Sequence, residues 1–171
     1  MKQPNPRRSH KHGATLVEAV ISVGVLAVAV PLVLGTIAEA GKSGLFAQAE
    51  TRSTWIIPAC MEEIRAVRDG DPQYFTPVSV GQPFPPTGEV WALGFAPDGR
   101  PVGRIARSQY DRGSTELNGE PVRFIAVLSA ANTPQTATGS TPMLQTRITI
   151  EYPASAPANR RDTIDFHTRI P

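Results

Sequence analysis

Residues 13–38 read GATLVEAVISVGVLAVAVPLVLGTIA, and this stretch decides the architecture. Its last part, residues 19–38, carries no charge. A helix rises about 1.5 Å per residue, so that run reaches about 30 Å, the thickness of a bilayer's hydrocarbon core. Ahead of it lie Lys2, Arg7, Arg8 and Lys11 with no acid among them. The positive-inside tendency keeps such a segment cytoplasmic and sends everything after about residue 40 across the membrane. The 15 Asp and Glu all follow Gly13, against 17 Lys and Arg in the whole chain. The basic excess therefore sits in the first dozen residues, the body is slightly acidic, and a pI near 9.0 is no argument for nucleic-acid binding.

Three readings of the stretch compete. A removed signal peptide has an apolar region of roughly 7–15 residues and a small-x-small cleavage site. Ala27-Val28-Ala29 imitates such a site, but apolar sequence continues beyond it. Arg7-Arg8 suggests a twin-arginine signal, yet the following Ser-His-Lys lacks the apolar pair expected there. A plain signal anchor accounts for length and flanks and leaves Glu18 to snorkel to the headgroups, since a carboxylate inside an apolar span costs a few kcal/mol unless paired. The third reading uses every part: a basic leader, then Gly13, then Ala14-Thr15-Leu16-Val17-Glu18, then about twenty apolar residues.

That order resembles the N-terminus of type IV pilins and pseudopilins. The resemblance implies cleavage between Gly13 and Ala14 by prepilin peptidase, which also N-methylates the new terminus at Ala14. Glu18 then becomes the fifth residue of the mature chain. Ala14 stands where the family usually has phenylalanine. It further implies other pilin or pseudopilin subunits as partners, a bacterial inner-membrane location with a periplasmic head, and assembly into a pilus or a secretion-type filament. In a bundle of staggered helices, Glu18 of one subunit meets the freed amine of Ala14 on its neighbour. Neither charge is then stranded, and the pair sets register more than net stability. Phe95-Ala-Pro-Asp-Gly-Arg-Pro-Val102, residues 150–160 (IEYPASAPANR) and residues 166–170 (FHTRI) resemble the hairpin and tail of the Verru/Chthon cassette protein B family, a pilin-like subgroup. The contrasting function is a single-pass anchored extracytoplasmic binding protein that never polymerises.

Small residues along the span, Ala19, Ser22, Gly24, Ala27, Ala29 and Gly35, permit close helix approach without forming a GxxxG pair. Pro31 is expected to kink or loosen the helix. Helical character continues to about residue 68, because Ile56, Cys60, Ile64 and Val67 recur on one face while Glu62, Glu63, Arg65 and Arg68 lie off it. A bend is expected near Pro58, and Asp69-Gly70-Asp71-Pro72 stops the helix.

The remaining hundred or so residues read as a β-rich head. Expected strands are 74–80, a hairpin of 90–96 and 101–107 around Asp98-Gly99, and 122–129, 144–152 and 163–170. Residues 112–120 and 131–142 read as turns and loop. In the last two strands Ile148, Ile150, Ile164 and Phe166 alternate with Arg147, Thr149, Glu151, Asp165, His167 and Arg169, so one face is wet. The fold class is α+β: a long N-terminal helix whose C-terminal half packs against a small antiparallel sheet. The organisation is leader 1–13, helix 14–68 with its membrane part at 19–38, and head 69–171.

Catalytic constellations are missing from the sequence, and no enzyme is expected. His10 and His12 belong to the leader, and His167 stands alone on a polar strand face. Gly41-Lys42-Ser43 ends like a phosphate loop, but Thr36 replaces the required glycine. The single Cys60 excludes an internal disulfide and lies on the apolar helix stripe. Asp69, Asp71, Asp98 and Asp111 are turn acids whose spacing matches no calcium loop, so neither metal nor cofactor is expected.

Overall fold

The computed structural model describes residues 15–79, 82–132 and 144–170. The chain divides into two compact units, Met1–Ser43 and Gly44–Pro171. One helix, α1 (Leu16–Asp69), supplies residues to both.

In the first unit the described residues after Thr15 are helical throughout. An 18-residue window of the helix has a mean hydropathy of 2.5 and buries none of its residues inside the protein. Such a segment has no protein core to serve, and it is long and apolar enough to cross a membrane. Pro31 does not interrupt it.

In the second unit α1 buries Ala49, Ser53, Ile56, Cys60, Glu63, Ile64 and Val67. Spacings of three and four put these on one stripe. The expected stripe is therefore present, with Glu63 added to it. The expected bend at Pro58 does not break the helix, which continues to Asp69. Pro58 lies on the exposed side, where water can satisfy the carbonyl its missing N–H frees. The helix ends as expected at Gly70, whose φ of +89° suits a residue without Cβ. The N–H groups of Gly70 and Asp71 both donate to the Ala66 carbonyl at 3.0 Å.

The sheet has five antiparallel strands: β1 (Ala92–Phe95), β2 (Pro101–Ile105), β5 (Phe124–Asn132), β6 (Leu144–Tyr152) and β7 (Asp162–Ile170), in the order β2-β1-β5-β6-β7. A helical turn, α2 (Arg107–Arg112), and a two-stranded ribbon, β3 (Glu116–Leu117) with β4 (Glu120–Pro121), interrupt the sequence of strands. The β1–β2 hairpin turns where Asp98-Gly99 is read as a turn: Gly99 has φ +91°, and its N–H donates to Ala96 O at 2.9 Å.

One face of the sheet meets α1. Leu93 and Phe95, Phe124, Ala126 and Leu128, and Ile148 and Ile150 form a single core with Ile56, Cys60, Ile64 and Val67. Each fully buried Leu or Ile here contributes about 1.5–3 kcal/mol relative to exposure. Beside them Trp91 is stacked between Phe75 (4.7 Å between centroids, 10° between planes) and Phe84 (5.1 Å, 20°). The other face carries a second core of Ala92, Ile105, Val122, Ile125 and Ala154, flanked by Tyr110 of α2 and Leu117 of β3. β1 is consequently buried on both faces.

Three expectations are corrected. The described part of 74–80 is not a strand: the carboxylate of Glu63 accepts the backbone N–H groups of Gln73 (3.2 Å), Tyr74 (2.8 Å) and Phe75 (3.2 Å), which a strand would give to a ladder. The second hairpin arm stops at Ile105, because residues 107–112 coil into α2. Glu151 is buried rather than wet, for a reason given below. Most of the expected loop at 131–142 lies outside the described residues, and Ala131 and Asn132 extend β5.

Candidate functional site

Of the residues singled out in the N-terminal stretch, Gly13 and Ala14 lie outside the described residues, and Glu18 is in the first turn of α1. The turn is held by Thr15. Its Oγ1 accepts the Glu18 N–H at 3.3 Å, and its carbonyl accepts the Ala19 N–H at 3.0 Å. Ser22 Oγ donates to the Glu18 carbonyl at 2.7 Å. Thr-x-x-Glu ahead of an apolar run is a helix-capping signature, so the sequence carried a signal for this helix start that the motif reading passed over. A carboxylate in the first turn also faces the positive end of the helix dipole.

No ion pair joins Glu18 to any cation among the described residues. Below it Ile21, Gly24, Val25, Val28, Ala29 and Leu32 line one open apolar groove along the span. The arrangement offers one acid at the start of an uncharged stretch of α1, residues 19–38. It can pair with a cation supplied from outside the described residues.

Several of the head's polar groups are engaged in structure. Glu63 caps the turn after α1 with three N–H bonds, as above. Asp98 accepts the Arg100 N–H at 3.0 Å, and Asp111 pairs with Arg107 at 3.7 Å. Asp69 is the last residue of α1, and Asp71 lines a shallow acidic cleft with Glu62, Glu63 and Tyr74. Burial, followed by the charge of Glu63, raises the Tyr74 phenol pKa. Among the described residues no three His, Cys, Asp or Glu side chains come together to hold a metal ion. Cys60 is fully buried; desolvation first and the nearby Glu63 second raise its thiol pKa far above the ordinary range. A thiol held neutral in this way is a packing group rather than a nucleophile. His167 is exposed on β7, in register with Arg147 of β6.

One polar network went unseen in the sequence. Arg161 is buried, and its Nη1 donates to Glu151 Oε2 at 2.7 Å. Its Nε donates to Ala156 O at 2.8 Å, and its Nη2 donates to the Tyr110 carbonyl. The guanidinium lies 4.8 Å from the Tyr110 ring centroid, and Tyr110 Oη donates to Glu151 Oε1 at 2.7 Å. Burial first and the Glu151 hydrogen bond second push the Tyr110 phenol pKa up. Every charge is answered, so the network fastens α2 and the turn after β6 onto the sheet. Arg161 and Glu151 are buried within it, and Tyr110 is half-buried at its edge.

No protein-family model, curated protein or solved structure matches the chain.

Proposed function

We propose that this protein is a minor pilin-like or pseudopilin subunit with a structural rather than catalytic role. It is made with a basic leader, inserted through residues 19–38, cut between Gly13 and Ala14 by a prepilin peptidase, methylated at Ala14 and assembled with like subunits through its apolar helix. The observation that carries the reading is Glu18: an acid in the first turn of an apolar helix, without an ion-pair partner among the described residues. A lone charge in an apolar surround is costly, and the cation that relieves it in this reading is the freed α-amine of a neighbouring subunit. An apolar helical stretch that buries none of its residues within its own chain, and an α+β unit with a helix on an antiparallel sheet, suit such a subunit.

Mass spectrometry of the protein from native membranes tests the processing step. A chain beginning with methyl-alanine at Ala14 supports the reading; one that still begins at Met1 leaves an anchored, non-polymerising head. Glu18→Ala tests the pairing step. It should leave membrane insertion intact and reduce recovery in filaments at least tenfold, whereas normal incorporation would show that the charge plays no part in assembly.

A further inference from the structure

We propose that Thr15 is a positioning residue for the cut between Gly13 and Ala14: by capping α1 it sets the first helical residue at Leu16 and keeps the scissile peptide from being drawn into the first turn. The inference rests on the processing step proposed above and names the side chain that readies the precursor for it.

The geometry is that of a helix N-cap. Thr15 stands just before the first helical residue, and its Oγ1 accepts the N–H of Glu18, three positions on, at 3.3 Å. Its carbonyl accepts the Ala19 N–H at 3.0 Å, the first rung of the helix. A residue in that role keeps non-helical backbone, and its oxygen satisfies a donor that the helix leaves orphaned. Thr-x-x-Glu also allows a reciprocal bond from the Thr15 N–H to the Glu18 carboxylate. Among the described residues only the hydroxyl's half is made. The boundary thus depends on one oxygen, and the carboxylate is left for the assembly step.

The surrounding sequence requires the boundary to be enforced. Alanine is the best helix former, and Ala14 adjoins a run that is helical throughout. The nearest upstream residues of a type that starts helices are Gly13 itself and Ser9. A helix begun at Gly13 would make its carbonyl, the one to be attacked, the acceptor of the first helical hydrogen bond. A helix begun at Ser9 would enclose the whole peptide. Hydrolysis adds water across that peptide, leaving a carboxylate on Gly13 and an amine on Ala14. Its rate follows the fraction of chains in which the peptide is open.

The test uses the full-length precursor, made without peptidase, purified in micelles and mixed with a purified prepilin peptidase. Loss of the leader is timed by mass spectrometry. Thr15→Ser and Thr15→Asn keep a capping oxygen and should be cut at least as fast as wild type. Thr15→Ala and the isosteric Thr15→Val should be cut about two- to thirtyfold more slowly, the population shift equivalent to the usual worth of a cap. In the uncut precursor the Ala14 Cα chemical shift should be coil-like in wild type and in Thr15→Asn, and move toward helical values in Thr15→Ala. The proposal is overturned if Thr15→Ala and Thr15→Val are cut as fast as wild type, or if Ala14 is already helical in wild type. It is equally overturned if Thr15→Asn is as slow as Thr15→Ala, since the peptidase would then be reading the threonine itself. A wild-type precursor that is not cut refutes the processing step and this inference with it, whereas a cut wild type with indifferent variants refutes this inference alone.

Discussion

Replacing Glu151 by glutamine isolates the energetics of the buried network. The Arg161 side chain is 0% exposed and that of Glu151 is 9% exposed, with 2.7 Å between Nη1 and Oε2. The variant keeps shape and leaves the guanidinium charge buried without its counter-ion. Breaking one side of a buried pair typically costs about 3–5 kcal/mol, because the remaining charge keeps its desolvation penalty. Here Arg161 retains its bonds to Ala156 O and to the Tyr110 carbonyl, so the lower end, about 3 kcal/mol, is expected. The double variant Glu151→Gln/Arg161→Met removes the stranded charge and should regain at least half of that loss. The assay is guanidinium chloride unfolding of the full-length protein in micelles, followed by the fluorescence of Trp91 between Phe75 and Phe84. A Glu151→Gln loss below about 1 kcal/mol, or a double variant no more stable than the single, would refute the reasoning.

Three more outcomes are expected. The Asp165 carboxyl is held below the ordinary carboxylate range, first by its hydrogen bond from Arg147 and then by that from Thr149. A depressed folded value gives stability that is present above the unfolded pKa of about 3.9 and is lost as the pH falls through the folded value. The melting temperature of the wild type should therefore drop more steeply below about pH 4 than that of Asp165→Asn, and parallel profiles would contradict this. Gly113 has φ +100°, and a Cβ there would lie 2.4 Å from Ser155 O, so Gly113→Ala should cost about 2 kcal/mol or more, measured in the same unfolding assay. Cys60, buried and kept protonated, should resist iodoacetamide at pH 8 in the native protein and react fully after denaturation; native-state labelling at the denatured rate would show that the helix stripe is open.

Much of the fold was legible because periodicity reports burial. The apolar run at 19–38, the Ile56–Cys60–Ile64–Val67 stripe, strand 144–152 and the Asp98-Gly99 turn all stand where local pattern puts them. What escaped has a common cause, a polar side chain answered far along the chain. Glu63 lies beside the apolar stripe yet is buried, because it takes N–H groups ten to twelve residues on. Glu151 alternates with Ile150 as a wet residue should, yet Arg161 and Tyr110 cover it from beyond a turn and from another element. The six-residue α2 is too short for helical period to speak, and it forms because the sheet's outer face offers Ile105 and Val122 to Tyr110. At the candidate site, Glu18 and its helical run were readable from the sequence, whereas the Thr15 cap beneath it emerged from geometry.

The double-sided burial of β1 has a consequence for how this sequence can drift. A Cβ at Gly94 would meet Ile105 Cδ1 at 3.2 Å and Val122 Cγ1 at 3.3 Å, so the outer layer rests directly on bare backbone there. Acquiring a side chain at that position requires both neighbours to give way by a few tenths of an ångström. Exchange along the middle of the sheet is thus concerted.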